Sequence, residues 1–144
     1  MSHHPPTSRP KPTAAGNEEA SAILNLGEFE NVQPLTLSET ALIINALTSK
    51  RRNERKNQND TEILSKTIEY LDAFSRFKKK ENIEAVERLI DAHSQFHPFE
   101  KKQLGSLCCE TAEEAKTLIP SIQDKISDED LQELLDEMYK LMPR

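Results

Sequence analysis

Leu104–Ile122 reads LGSLCCETAEEAKTLIPSI, and its punctuation decides the fold. Thr111 is followed three residues later by Glu114, a T-x-x-E capping box. In such a box the hydroxyl takes an amide of the first turn and the carboxylate reaches back to the cap amide. The short helix that it opens carries Ala112, Ala115, Leu118 and Ile119 at spacings of three and four, one apolar stripe. Pro120 has no amide hydrogen and disfavours α geometry at Ile119, so the helix ends there. About two turns of helix do not stand alone in water. Longer neighbours must enclose them.

Both flanks supply such neighbours. Downstream, Ser121–Lys125 reads as a connector. Ser127 then caps a last helix whose first turn, Asp128, Glu129 and Asp130, suits the positive end of the dipole. Leu131, Leu134, Leu135, Met138, Leu141 and Met142 form its apolar stripe. Upstream, Phe99, Leu104, Leu107 and Cys108 line a helix opened by Pro98 at its first position. Ile83, Val86, Leu89 and Ile90 define another, ending near Ala92 or His93. Ile63, Leu64, Thr67, Ile68, Leu71, Phe74 and Phe77 recur at three and four from Thr61, with Asp60 as cap. Arg76, Lys78, Lys79 and Lys80 read as the C-terminal turn of that helix, where cations complement free carbonyls; the alternative is a phosphate contact.

Thr36–Glu39 spells a second capping box, with Ser38 a competing cap, and Thr40–Ser49 is helical by pattern. Ala41, Leu42, Ile43, Ile44, Ala46 and Leu47 leave this helix almost no polar face. It is therefore either a central core helix or one sandwiched between this chain and another. Before it, Ile23, Leu24, Leu26, Phe29, Val32, Leu35 and Leu37 lie in a stretch where Gly27 and Pro34 forbid a long helix. An extended segment with short turns fits, laid on the chain's own core or on a partner.

Lys50–Asp60, KRRNERKNQND, holds five of the nineteen basic residues and reads as a solvated polar loop. Its functional alternative is a patch for RNA or an acidic partner. Residues 1–20 contain four of the eight prolines and too little apolar matter to offset ordering entropy, a disordered tail by composition. No apolar run approaches the eighteen or so residues of a membrane span, and the N-terminus lacks the apolar region of a secretory signal. Cys108 and Cys109 are the only cysteines; neighbours in sequence, they build neither a disulfide framework nor a C-x-x-C knuckle, and a reducing compartment fits them.

The net charge of −6 is uneven: residues 1–60 balance at seven basic and seven acidic, and Glu110–Glu137 holds ten acids against Lys116 and Lys125. A face so negative repels phosphate backbones. The three glycines are isolated, so there is no phosphate loop, and no nucleophile–base arrangement stands out. His93 and His97 are four apart, but Pro98 makes His97 a break in the helix and no third ligand lies nearby, so no metal site is expected. The residues describe an all-α interaction module.

Phe74–Lys78, FSRFK, with Glu110–Ile122, ETAEEAKTLIPSI, and an acidic final helix resemble the fourth subunit of eukaryotic RNA polymerase II. The similarity runs from about Leu26 to Met142, is strongest over 70–142, and follows the short form without the long insertion of the yeast type. The resemblance implies an all-α, HRDC-like helical bundle over 61–144 and a partner-binding segment and first helix over 21–49. Between them lies the 50–60 loop. It implies a stalk heterodimer with the seventh subunit, whose OB-type barrel binds RNA. Nascent RNA is then met through that partner, with docking on the polymerase core near the clamp and a part in initiation. Location in the nucleus, with shuttling to the cytoplasm, would follow. It carries over no catalytic residue, cofactor, small-molecule substrate or membrane contact. Leu26, Phe29, Leu37, Leu42, Ile43 and Leu47 are the expected partner-binding residues, and Arg51, Arg52, Arg76, Lys78 and Lys79 the candidates for nucleic-acid contact. The stalk subunit of RNA polymerase III and a free-standing HRDC-like nucleic-acid binder are the rival readings.

A first helix without a polar face predicts that the isolated chain self-associates or is partly unfolded. Circular dichroism and sedimentation giving a fully helical, stable monomer would contradict this.

Overall fold

Side-chain oxygens or nitrogens open five of the six helices that this computed structural model contains over its described residues, 20–54 and 61–143. The helices are α1 (Leu37–Asn53), α2 (Glu62–Phe74), α3 (Lys80–Asp91), α4 (Pro98–Leu107), α5 (Ala112–Leu118) and α6 (Asp128–Lys140). Short 3-10 turns occupy Gly27–Phe29 and Pro120–Ile122, and no strand occurs among the described residues. The hydroxyls of Thr36, Thr61, Thr111 and Ser127 each accept an amide of the first turn. At α4 the cap is His97, whose Nδ1 accepts from the amide of Phe99 at 3.1 Å. Thr61 takes the place given above to Asp60, which lies outside the described residues.

Over α5 the sequence reading holds with two corrections. Glu114 passes the cap residue and accepts from the amide of Glu110 at 3.0 Å, so the box closes one residue early. Leu118 is exposed, while Ala112, Ala115 and Ile119 are buried together with Lys116. The aliphatic stem of Lys116 runs through the core side of the helix. Its Nζ emerges to donate to the carbonyl of Ile126 and to meet Asp128 Oδ1, both at 2.7 Å.

The core joins α3, α4, α5 and α6. Leu104, Ala115, Ile122 and Leu131 have no exposed surface, and Phe77, Ile83, Val86, Ile90, Phe96, Cys109, Ala112, Ile119, Ile126, Leu134, Leu135 and Met138 complete it. Glu100 is also fully buried. One of its oxygens accepts from the His97 amide at 2.7 Å and from Lys125 Nζ at 2.6 Å; the other accepts from Ser121 Oγ at 2.5 Å. The stretch read as a connector is thus pinned to α4, with Ile122 sealed beneath it.

The first turn of α1 docks on this body through polar atoms. Thr36 and Glu39 form the complete reciprocal box. Ser38 Oγ accepts from the amide of Phe77 at 3.1 Å, Ser106 Oγ accepts from the amide of Leu37 at 3.1 Å, and Lys102 Nζ meets Glu39 at 2.8 Å. Gly105 makes the approach possible: a Cβ there would lie 2.8 Å from Thr36 Cγ2 and 3.3 Å from Ile90 Cδ1. α1 also runs on to Asn53, so Lys50–Asn53 is helical and the polar loop begins later than expected; residues 55–60 lie outside the described residues.

α4 ends at Cys108, held in the left-handed region at φ 49° with Sγ 3.3 Å from the carbonyl of Gly105. Burial pushes the Cys108 thiol from its ordinary 9.0 up to about 12, against a smaller downward pull from Arg76 and a further upward one from Cys109. Cys109 is raised by burial and then by Glu114.

Gly105→Ala should cost about 1–3 kcal/mol from overpacking, reduced by up to about 1 kcal/mol of helix propensity. Thr36 cannot swing its methyl aside without losing the cap. Thr36→Ser keeps the hydroxyl and removes the methyl, so the double variant should recover most of the loss in urea unfolding. The thiols give a second test. An unfolded thiol ionises near 9 while the folded one resists. The folded chain therefore holds more protons above that pH, and stability should fall between pH 9 and 12. At pH 8 iodoacetamide should label the native chain more than about tenfold more slowly than the urea-unfolded one.

Candidate partner interface

The segment before α1 is irregular, as Gly27 and Pro34 require. Gly27 sits at φ 56°, its amide donating to Asn25 Oδ1 at 3.2 Å, and a single 3-10 turn follows. Leu24 and Leu26 are half-buried along a cleft of about 240 Å³ shared with Phe99, Gln103 and Ile119. Glu30 approaches His97 Nε2 at 3.9 Å. The segment thus lies along α4 and leaves part of its apolar matter outside.

The six residues expected to bind a partner divide in two. Leu26, Leu37 and Leu42 are half-buried, Leu42 packing against the core cluster. Phe29, Ile43 and Leu47 are 61%, 52% and 45% exposed. Ile23, Val32 and Leu35 are exposed as well. Within this chain α1 buries only Ser38 and Glu39 fully. It is not a central core helix.

α2 packs along α1. The bond from the Phe77 amide to Ser38 brings the chain just past the end of α2 back to the start of α1, so the two helices are antiparallel. Leu71 is the buried residue of α2; Leu64 and Ile68 are half-buried. Ile63 and Phe74, counted above with the inward stripe, are exposed together with Tyr70, whose ring centroid lies 4.7 Å from that of Phe74. The sequence carries two apolar registers here, Leu64-Ile68-Leu71 and Ile63-Thr67-Tyr70-Phe74. A single stripe drawn through both hides the second.

The five basic candidates do not assemble into one patch. Arg51 and Arg52 stand in the last turn of α1; Arg76, Lys78 and Lys79 stand beyond α2, at the other end of the hairpin. A helix of this length separates them by about 20 Å. α2 stops at Phe74 because Ser75 is extended, so Arg76–Lys79 is a link and Lys80 opens α3, contrary to the expected C-terminal turn. Lys78 nevertheless serves the carbonyls: its Nζ donates to Asp72 O at 2.7 Å and Ser75 Oγ at 3.0 Å. Lys79 is the N-cap of α3. Arg76 borders an open cleft of about 790 Å³ with Tyr139 and Lys140. No group of three or more metal-ligating side chains forms among the described residues, and His97 Nδ1 is committed to its cap. No helix is long and apolar enough to cross a membrane, again among the described residues.

The sequence profile of the RNA polymerase Rpb4 family matches residues 34–142. The chain is 46% identical over 126 residues to DNA-directed RNA polymerase II subunit rpb4 of Schizosaccharomyces pombe, covering 86% of this chain and 92% of that one. It is 30% identical over 127 residues to DNA-directed RNA polymerase II subunit 4 of Arabidopsis thaliana, covering 84% and 91%. With subunit RPB4 of Saccharomyces cerevisiae it shares 51% over 78 residues, 54% of this chain and 35% of that one. The matched span takes in α1 through α6 and the caps that set their limits. This chain belongs to the RNA polymerase Rpb4 family.

Proposed function

We infer that this chain is a non-catalytic subunit of DNA-directed RNA polymerase II that pairs with the seventh subunit to form the polymerase stalk. The likeness to the Schizosaccharomyces pombe subunit over nearly the whole of both chains carries the polymerase reading. The apolar side chains left outside at Phe29, Ile43 and Leu47 support the pairing, since a partner could cover them. The partner's barrel covers this surface, while the half-buried Leu26, Leu37 and Leu42 hold the segment and α1 in place for it. Nascent RNA is met through the partner: the ten acids of Glu110–Glu137 make this chain a poor phosphate binder. The heterodimer docks near the polymerase clamp, works in the nucleus in initiation and shuttles to the cytoplasm.

Co-expression with the seventh subunit followed by size exclusion tests the pairing. The full chain should elute as a 1:1 complex, and truncation before Asp60 should abolish it. Because that truncation also removes the docked first turn of α1, Ile43→Ser/Leu47→Ser is the sharper variant. It should lose the complex while keeping its helical circular dichroism. A wild-type chain that elutes alone would overturn the pairing.

A further inference from the structure

Between the C-terminal half of α6 and Cys108–Glu110, the link that precedes α5, runs a cleft of about 310 Å³. Leu135 and Met138, both buried, line it together with the half-buried Cys108 and Met142. Gln132, Asp136 and Tyr139, spaced by four and three, share the flank of α6 beside this link. Gln132 Nε2 donates to the carbonyl of Glu110 at 2.9 Å and to Asp136 Oδ1 at 3.0 Å, and its Oε1 accepts from the Ala112 amide at 2.9 Å. The two walls are thereby tied together. Tyr139 borders the cleft and is 68% exposed. The rim is acidic: Glu110 and Asp136 border the cleft, Glu133 and Glu137 follow on α6, and all four are exposed. Among the described residues Glu110, Glu133 and Asp136 form no ion pair, whereas Glu39, Glu100 and Asp128 each do. Lys140 answers Glu137 at 2.6 Å, and Glu137, then Asp136 and Glu133, hold its ammonium protonated beyond the ordinary 10.5. That lysine reports the negative field at this end of α6.

We propose that this cleft is a docking groove for a basic segment of another polypeptide, which lays apolar side chains on Leu135, Met138 and Met142 and sets its lysines or arginines against Glu110, Asp136 and the Tyr139 ring. The groove uses neither the N-terminal segment nor α1, so it stands apart from the pairing inferred above. Its chemistry suits such an occupant. Methionine side chains adapt to apolar groups of differing shape, and a tyrosine face attracts a cation laid over it. Gln132 holds Asp136 in place beforehand, so less freedom is lost on binding. Charge selects the occupant. A phosphate backbone or an acidic segment is repelled by the rim. A second copy carries the same net charge of −6 and is held off, whereas a basic segment is drawn in.

The test uses the full chain labelled with carbon-13 at the methyls of its three methionines, Met1, Met138 and Met142. The probe is a synthetic peptide of about twelve residues, roughly three turns of helix, made of lysines with two leucines four apart. Two further peptides replace the leucines by serine or the lysines by glutamate. The first should shift the Met142 methyl resonance and leave that of Met1 in place, and the other two should bind at least about tenfold more weakly. Asp136→Ser/Tyr139→Ser should keep the far-ultraviolet spectrum and weaken the first peptide by at least about tenfold. Glu113→Ser/Glu129→Ser, which removes two exposed carboxylates that do not line the cleft, should weaken it less than about threefold. If the groove variant misfolds, the wild-type methyl shifts decide. Binding without a Met142 shift, or equal loss in both variants, would overturn the groove in favour of a diffuse acidic field. Equal affinity for the serine peptide would overturn it as well, since the apolar floor would then contribute nothing. A Met142 resonance that moves with protein concentration alone, and that the peptide does not displace, would give the groove to a second copy instead.

Discussion

Glu39 divides its carboxylate, one oxygen accepting from the Thr36 amide and the other held 2.8 Å from Lys102 on α4. Both side chains are nearly out of water, at 10% and 12% exposure. Ion pairs so placed recover little more than their desolvation, but removing one partner strands a buried charge at a cost on the order of 3 kcal/mol. The contact thus specifies a position more than it adds stability. Everything on the outer side of the molecule depends on that position. Leu42 reaches the core from it, α2 is laid along the helix that it anchors, and the Ser38–Phe77 bond ties the far end of α2 to the same point.

The body uses the same chemistry twice more. Glu100, without exposed surface, gathers the His97 amide, Ser121 and Lys125, and so joins the start of α4 to the turn after α5. Lys116 joins α5 to the entry of α6 through the Ile126 carbonyl and Asp128. Apolar packing alone would let a seven-residue helix such as α5 slide between its neighbours. These polar pins fix its register, because each buried donor or acceptor that lost its partner would be left unsatisfied.

Most of the fold was legible because helix limits are local chemistry. Thr36, Thr111 and Ser127 cap where a hydroxyl three residues ahead of an amide must, and Pro120 stops α5 for reasons internal to the backbone. What was not legible depends on which side of a helix meets a neighbour. Leu118 was placed inside on residue type, yet the buried arc is centred between Ala112 and Ile119 and takes in Lys116. A lysine stem with a carbonyl to reach fits that arc better than a leucine a quarter-turn away. Ile63 and Phe74 were drawn inward for the same reason. Arg76–Lys80 was read as the end of a helix because cations favour such ends, whereas the backbone turns at Ser75 to deliver Phe77 to the core. The apolar surplus of the N-terminal segment and α1 was plain from composition. That α2 carries a matching surplus needed the direction of its packing.

The placement of the anchor divides the molecule into two tiers of resistance to opening. The sixteen residues of the buried cluster come from Phe77 onward, and none lies on α1 or α2. Beyond its first turn, α1 packs Leu42 against that cluster and little else. The hairpin can therefore loosen from its far end, Lys50–Asn53 and Thr61–Leu64, without breaching the body, as regions with few buried contacts do. Amide exchange along α1 would then grade from slow near Thr40 to fast near Asn53, as in a splint bound firmly at one end. The apolar face of α1 is thereby free to adjust its angle while the body behind it keeps its shape.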